Sequence, residues 1–138
     1  MNILTVRQPW AYAIFHLNKD IENRPRRTHV RERIAIHTSA TMTAREYADA
    51  REFIQARGLG TLPAEPYLFC GVIIGTVEIV DCVERSESPW FTGKYGYVLR
   101  NARRFGVPIP AKGRLGFWQS DTLMQLAITR QLIQGVVV

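Results

Sequence analysis

The stretch from Gly71 to Val83 carries the longest β-branched run in the chain, Val72-Ile73-Ile74, then Thr76-Val77 and Ile79-Val80. Such side chains lose little by being extended and pack well on a pleated surface, so the run predicts the central strand of a sheet. Along it Val72, Ile74, Thr76, Glu78 and Val80 share one face, with Ile73, Val77 and Ile79 on the other. Glu78 is thus an acid on a mostly apolar face. An unpaired carboxylate there would be expensive to desolvate, so the pattern demands a cation beside it.

The remaining elements are arranged around that strand. Ile3 to Val6 reads as a strand, and Pro9 suits the first turn of a helix over 9–17 through Trp10, Tyr12, Ala13, Ile14 and Leu17. Residues 18–33 are poor in apolar side chains and contain Pro25, which predicts a long basic surface loop. From Arg33 to Thr38, Ile34 and Ile36 alternate with Ala35 and His37, the mark of a strand with two differently used faces. Thr43 and Glu46 form a capping box for a helix over 43–57 that Gly58 stops. A polar loop with the aromatic tip Pro89-Trp90-Phe91 leads to strands over 95–100 and 114–118, which Pro108 and Pro110 separate. Asp121 caps a last helix reaching 133. These elements predict an α+β chain: a small, mainly antiparallel β-barrel decorated by three helices, with residues 1–138 as one domain.

With 138 residues, 46% of them apolar, the chain has enough material for a genuine core. Eighteen basic side chains against twelve acidic ones leave a charge of +6, and fifteen of the eighteen are Arg, whose planar fork grips phosphate and stacks on bases. Polyanionic partners are therefore expected. Neither a membrane span nor a signal peptide is legible, so the expected place is the cytoplasm and no membrane partner is expected. Cys70 and Cys82 lack metal-ligand spacing and read as buried thiols, and neither a metal nor a cofactor is expected.

The densest polar constellation is Lys19-Asp20-Ile21-Glu22-Asn23-Arg24. Helical geometry would make Lys19 and Glu22 neighbours, and extended geometry would put Glu22 and Arg24 on one side; either places a cation beside an acid. A Lys among arginines can serve as a general base and a nearby Glu can position a water, whereas the bland reading is a solvated charged loop. Of the rings, Trp10 reads as core packing, Trp90 divides evenly between packing and stacking on a base, and His37 reads as structural.

The segments Leu4-Thr5-Val6-Arg7-Gln8-Pro9-Trp10-Ala11 and Lys19 to Arg24 resemble the ASCH family in order and spacing. So do Arg33 to Ser39, Gly75 to Cys82, Ser88 to Phe91, Tyr95 to Leu99 and Lys112 to Gly116, which extends the likeness over residues 3–118. The resemblance implies a PUA-like fold with a cleft for RNA or a modified nucleoside. The family's loop pattern, Gly, one residue, Lys, two residues, Glu, one residue, Arg, falls on Lys19, Glu22 and Arg24, with Leu17 in the Gly position. A related branch hydrolyses the acetyl amide of N4-acetylcytidine with a Lys, a Thr three residues later and a Glu on a later strand. Here these fall on Lys19, Glu22 and Glu78, and a carboxylate in the Thr position cannot act as its alkoxide would.

Binding of RNA, favoured over DNA, or of a modified nucleoside is the expected function. Arg24, Arg26, Arg27, Arg31 and Arg33 would form one basic strip and Arg100, Arg103, Arg104, Lys112 and Arg114 another, the two flanking one cleft, with Trp10, Trp90 and Tyr95 adding ring surfaces. The alternative is a metal-independent ribonuclease or nucleoside amidohydrolase using Lys19, Glu22 and Glu78 in one cleft. A third reading is a protein interaction module anchored by an exposed Trp90-Phe91 tip.

Overall fold

The computed structural model describes residues 1–134. Its elements run β1 (Asn2–Val6), α1 (Trp10–His16), β2 (Ile21–Arg24), β3 (Arg33–Thr38), α2 (Ala44–Ala56), a 3-10 turn (Glu65–Tyr67), β4 (Val72–Val83), β5 (Tyr95–Pro110), β6 (Phe117–Gln119) and α3 (Thr122–Gln134). The six strands form one sheet in the order β2-β5-β4-β3-β1-β6, so the β-branched run sits inside it as expected. All neighbouring pairs are antiparallel except β1 with β3. Three register shifts between β4 and β5 add local twist, and the sheet curls into a half-barrel whose edges are β2 and β6. The fold is therefore α+β and PUA-like, with a mixed, open sheet rather than a closed barrel.

Alternation along the strands assigns each face a helix. Leu4, Val6, Ile34, Ile36, Val77 and Ile79 pack with Ala11 and Ile14 of α1, while Ile3, Ala35, Ile73 and Phe105 meet Ile128 of α3 on the opposite face. The second helix, α2, starts at the expected capping box, in which the Thr43 hydroxyl accepts from the Glu46 amide and Glu46 accepts from the Thr43 amide. It buries Ile54 in a third cluster with Ala13, Ile21 and Trp90.

Three sequence expectations are corrected. The basic segment 18–33 is not all loop: Ile21–Arg24 form β2, whose backbone pairs with Tyr95–Val98 and so gains its order from a distant strand. Pro108 and Pro110 do not end a strand at Arg100, because β5 continues past the reach of β2. Its far half pairs only with β4, leaving one edge where a missing amide hydrogen is tolerated. Finally, Gly116 has a φ of +67°, a left-handed turn that delays the last strand to Phe117.

Candidate functional site

Lys19 reaches its position through the end of α1. Leu17 closes the helix with φ −123°, and Asn18, at φ +57°, takes the left-handed conformation. Leu17, which stands in the family's Gly position, keeps a negative φ, and the left-handed conformation falls one residue later, on a side chain type that tolerates it. The turn lets the Lys19 amide donate to the Ala13 carbonyl at 3.1 Å and sends its side chain inward. Lys19 and Glu22 are buried, and Lys19 Nζ donates to Glu22 Oε1 at 2.9 Å and to the Ile21 carbonyl. Arg24 donates from Nε to the other oxygen, Glu22 Oε2, at 3.0 Å, and from Nη2 to the Thr5 carbonyl at 2.7 Å.

Glu22 thus stands between two cations. Burial pushes its carboxyl up, and the charges and hydrogen bonds of Lys19 and Arg24 outweigh that, leaving it below the usual carboxylate range. Lys19 Nζ also lies 6.0 Å from the centre of the Trp10 ring. Trp10, Lys19, Glu22, Asn23, Trp90 and Thr92 line a cavity of about 180 Å³. Asn23 fixes its mouth: its side-chain amide donates to the Trp90 carbonyl and its oxygen accepts from the Thr92 and Gly93 amides. Phe53 of α2 packs against both tryptophans, its ring centre 5.5 Å from that of Trp10 and 6.1 Å from that of Trp90.

Other expected site residues lie elsewhere. Glu78 does have a cation, but it is Arg33, at 3.0 Å, rather than Lys19 or Arg24. The antiparallel register of β3 and β4 sets Arg33 opposite Glu78, and Glu78 does not line the Lys19 cavity. Arg33 also donates to Thr76 Oγ1 and the Asn101 carbonyl, tying three strand segments together. Arg26 is exposed; Arg27 is 3.3 Å from Glu84 and stands 5.0 Å over the Tyr95 ring. The second basic strip is divided: Arg100 borders a depression with Asn18, Lys19 and Asp20, whereas Lys112 and Arg114 border another with Phe117 and Trp118. Trp90 is 3% exposed, so the aromatic tip is no free anchor for a protein partner. His37 is structural in its contacts: Nε2 donates to the Ala111 carbonyl at 2.7 Å and Nδ1 faces the Thr5 hydroxyl at 3.2 Å.

Asn23 and Thr92 were not foreseen as cavity residues, and Trp10 was expected more as core packing than as a ring surface for a ligand. The signal for Asn23 was its place inside the Lys19 to Arg24 motif, and the signal for Thr92 was Trp90, two residues before it.

A curled mixed sheet with helices on both faces and a polar cavity beside α1 defines a PUA-like domain. The chain belongs to the ASCH domain family, whose sequence model matches residues 4–102, from β1 into the middle of β5. No curated protein matches the chain. The family supports a small domain of RNA-binding type.

Proposed function

We propose that the chain binds single-stranded RNA or a modified nucleoside and draws one base into the cavity between Trp10 and Trp90. The observation that carries this reading is the buried Lys19–Glu22 pair lining that cavity. Desolvating two charges is costly, and a hydrophobic pair would serve packing as well, so placing them at a cavity wall favours recognition of a polar edge. Lys19 offers a donor and Glu22 an acceptor, the complement of a base edge, while the half-buried Trp10 ring supplies a surface on which a base contributes roughly 1–3 kcal/mol by stacking. A volume of about 180 Å³ suits a single base. Exposed Arg26, with Arg27 beside it, extends positive charge from β2 along the path a phosphate backbone would take.

Binding is favoured over turnover. Lys19 and Glu22 are engaged with each other, and among the described residues no hydroxyl bonds to Lys19: Thr28 Oγ1 accepts from the Val30 amide, and Ser39 Oγ is buried without a partner. Mass spectrometry of small molecules and oligonucleotides that co-purify with the chain tests the reading. A discrete nucleoside or short RNA, retained unaltered by the wild type and lost from Glu22→Gln, is the expected result. Equal retention by the variant would move the site elsewhere, and conversion of the retained species would restore the hydrolase alternative.

A further inference from the structure

A second aromatic-walled cavity lies on the other side of α1, away from Lys19. It measures about 400 Å³, within the range of small-ligand pockets. One wall is the stacked pair Tyr12 and His16, with ring centres 4.3 Å apart and planes 16° from parallel. Another is the end of the 3-10 turn and the residues just after it, where Tyr67 is 73% and Phe69 59% exposed, large rings left uncovered at a cavity rim. The cavity is built rather than loose. Gln8, 3% exposed, donates to the Phe69 carbonyl at 2.9 Å and accepts from the Tyr12 amide at 2.9 Å, clamping that segment to the start of α1.

The polar content of this cavity is one-sided. Arg104 borders it without an ion-pair partner among the described residues, and no acidic side chain lines it. Burial, and then the charge of Arg104, lower the affinity of His16 for a proton, which leaves a neutral ring available for stacking. Flat ring walls select a flat ligand, and an unpaired guanidinium selects an oxyanion that it can hold with two parallel hydrogen bonds. With more than twice the volume of the cavity at Lys19, the space admits a base together with its sugar and phosphate.

We propose that this cavity is a second ligand site, taking a nucleoside monophosphate with its base against Tyr12 and His16 and its phosphate on Arg104. The assignment goes beyond the single-base reading and does not rest on it. The phosphate could belong to a free nucleotide or to the phosphorylated end of a strand, and both offer the same chemistry.

Titration with adenosine 5′-monophosphate, followed by amide NMR shifts at His16, Phe69 and Gly106, tests the assignment. Saturable shifts at these residues are expected, with adenosine and inorganic phosphate each at least about tenfold weaker, the worth of one charge-assisted contact. Arg104→Gln should weaken the monophosphate about tenfold and leave adenosine unchanged. Gly106 borders the cavity and a Cβ built on it meets nothing within 4 Å, so Gly106→Leu can occupy the space without disturbing the fold and should abolish binding. A 5′-phosphorylated tetranucleotide, compared with its 5′-hydroxyl form, separates a strand end from a free nucleotide. Absence of saturable shifts, adenosine binding as tightly as the monophosphate, or unchanged affinity in Gly106→Leu would overturn the proposal. Each of these leaves the Lys19 cavity untouched, because its reporters are Trp10 and Trp90.

Discussion

Lys19 Nζ and Glu22 Oε1 are 2.9 Å apart, with side chains only 3% and 9% exposed, at the wall of a cavity that opens between two tryptophans. Removing one partner of such a pair strands the other charge. Glu22→Ala should therefore destabilise the chain by about 3–5 kcal/mol in chemical denaturation, since both Lys19 and Arg24 lose their acceptor. Lys19→Met combined with Glu22→Leu should recover the part of that loss that comes from stranding Lys19, with Arg24 still lacking its carboxylate. Additive losses in the double variant would show that the pair is not coupled.

The acid limb of stability should report Glu22 and Glu46. The Arg7 hydrogen bond is the largest cause holding the Glu46 carboxyl down to about 2. Both carboxyls bind protons less readily folded than unfolded, so their contribution is complete above the ordinary carboxylate value of 4.5 and is lost as pH falls below it, for Glu46 down to about 2. Unfolding free energy measured from pH 6 to pH 2 should fall with decreasing pH, and less steeply in Glu46→Gln. A profile that is flat over that range would contradict the pairing.

Gly113 is packed on the face of His37 so closely that a Cβ there would overlap the imidazole ring. Gly113→Ala should cost about 1–3 kcal/mol through overpacking and should shift the His37 ring resonances. Unchanged stability would mean that the Lys112–Arg114 crossing moves freely.

Much of this architecture was legible in the sequence because its signals are local. The Thr43–Glu46 box, the period of α2 and the alternation of Ile34 and Ile36 with Ala35 and His37 each depend on residues within a few positions. What escaped depends on pairing at a distance. Ile21–Arg24 has one aliphatic residue in four and becomes a strand only because β5 accepts it. The sequence required a cation for Glu78, but which one was set by cross-strand register, and that register selects Arg33. The polar surroundings of Trp90 suggested exposure, whereas Phe53 of α2 and the Asn23 clamp draw the ring inward.

Arg26 and Arg27 test the electrostatic half of the functional account. Replacing both with Ala should weaken binding of unrelated single-stranded RNAs to a similar degree and reduce the salt dependence by about two counterions at most. Arg27 already faces Glu84, so Arg26→Ala alone should give the larger share. An unchanged salt slope in filter-binding measurements would remove this strip from the phosphate path.

The central claim, one base between Trp10 and Trp90, is tested most directly through the three tryptophan indole N–H signals. Trp10 and Trp90 line the cavity, whereas Trp118 donates its N–H to Thr5 Oγ1 and does not. In a titration with nucleosides and single-stranded tetranucleotides at low salt, the Trp10 and Trp90 signals should shift saturably and together while Trp118 stays nearly still, and Glu22→Gln should suppress the shifts. Saturable binding that moves Trp118 alone, or leaves all three signals in place, would contradict the account.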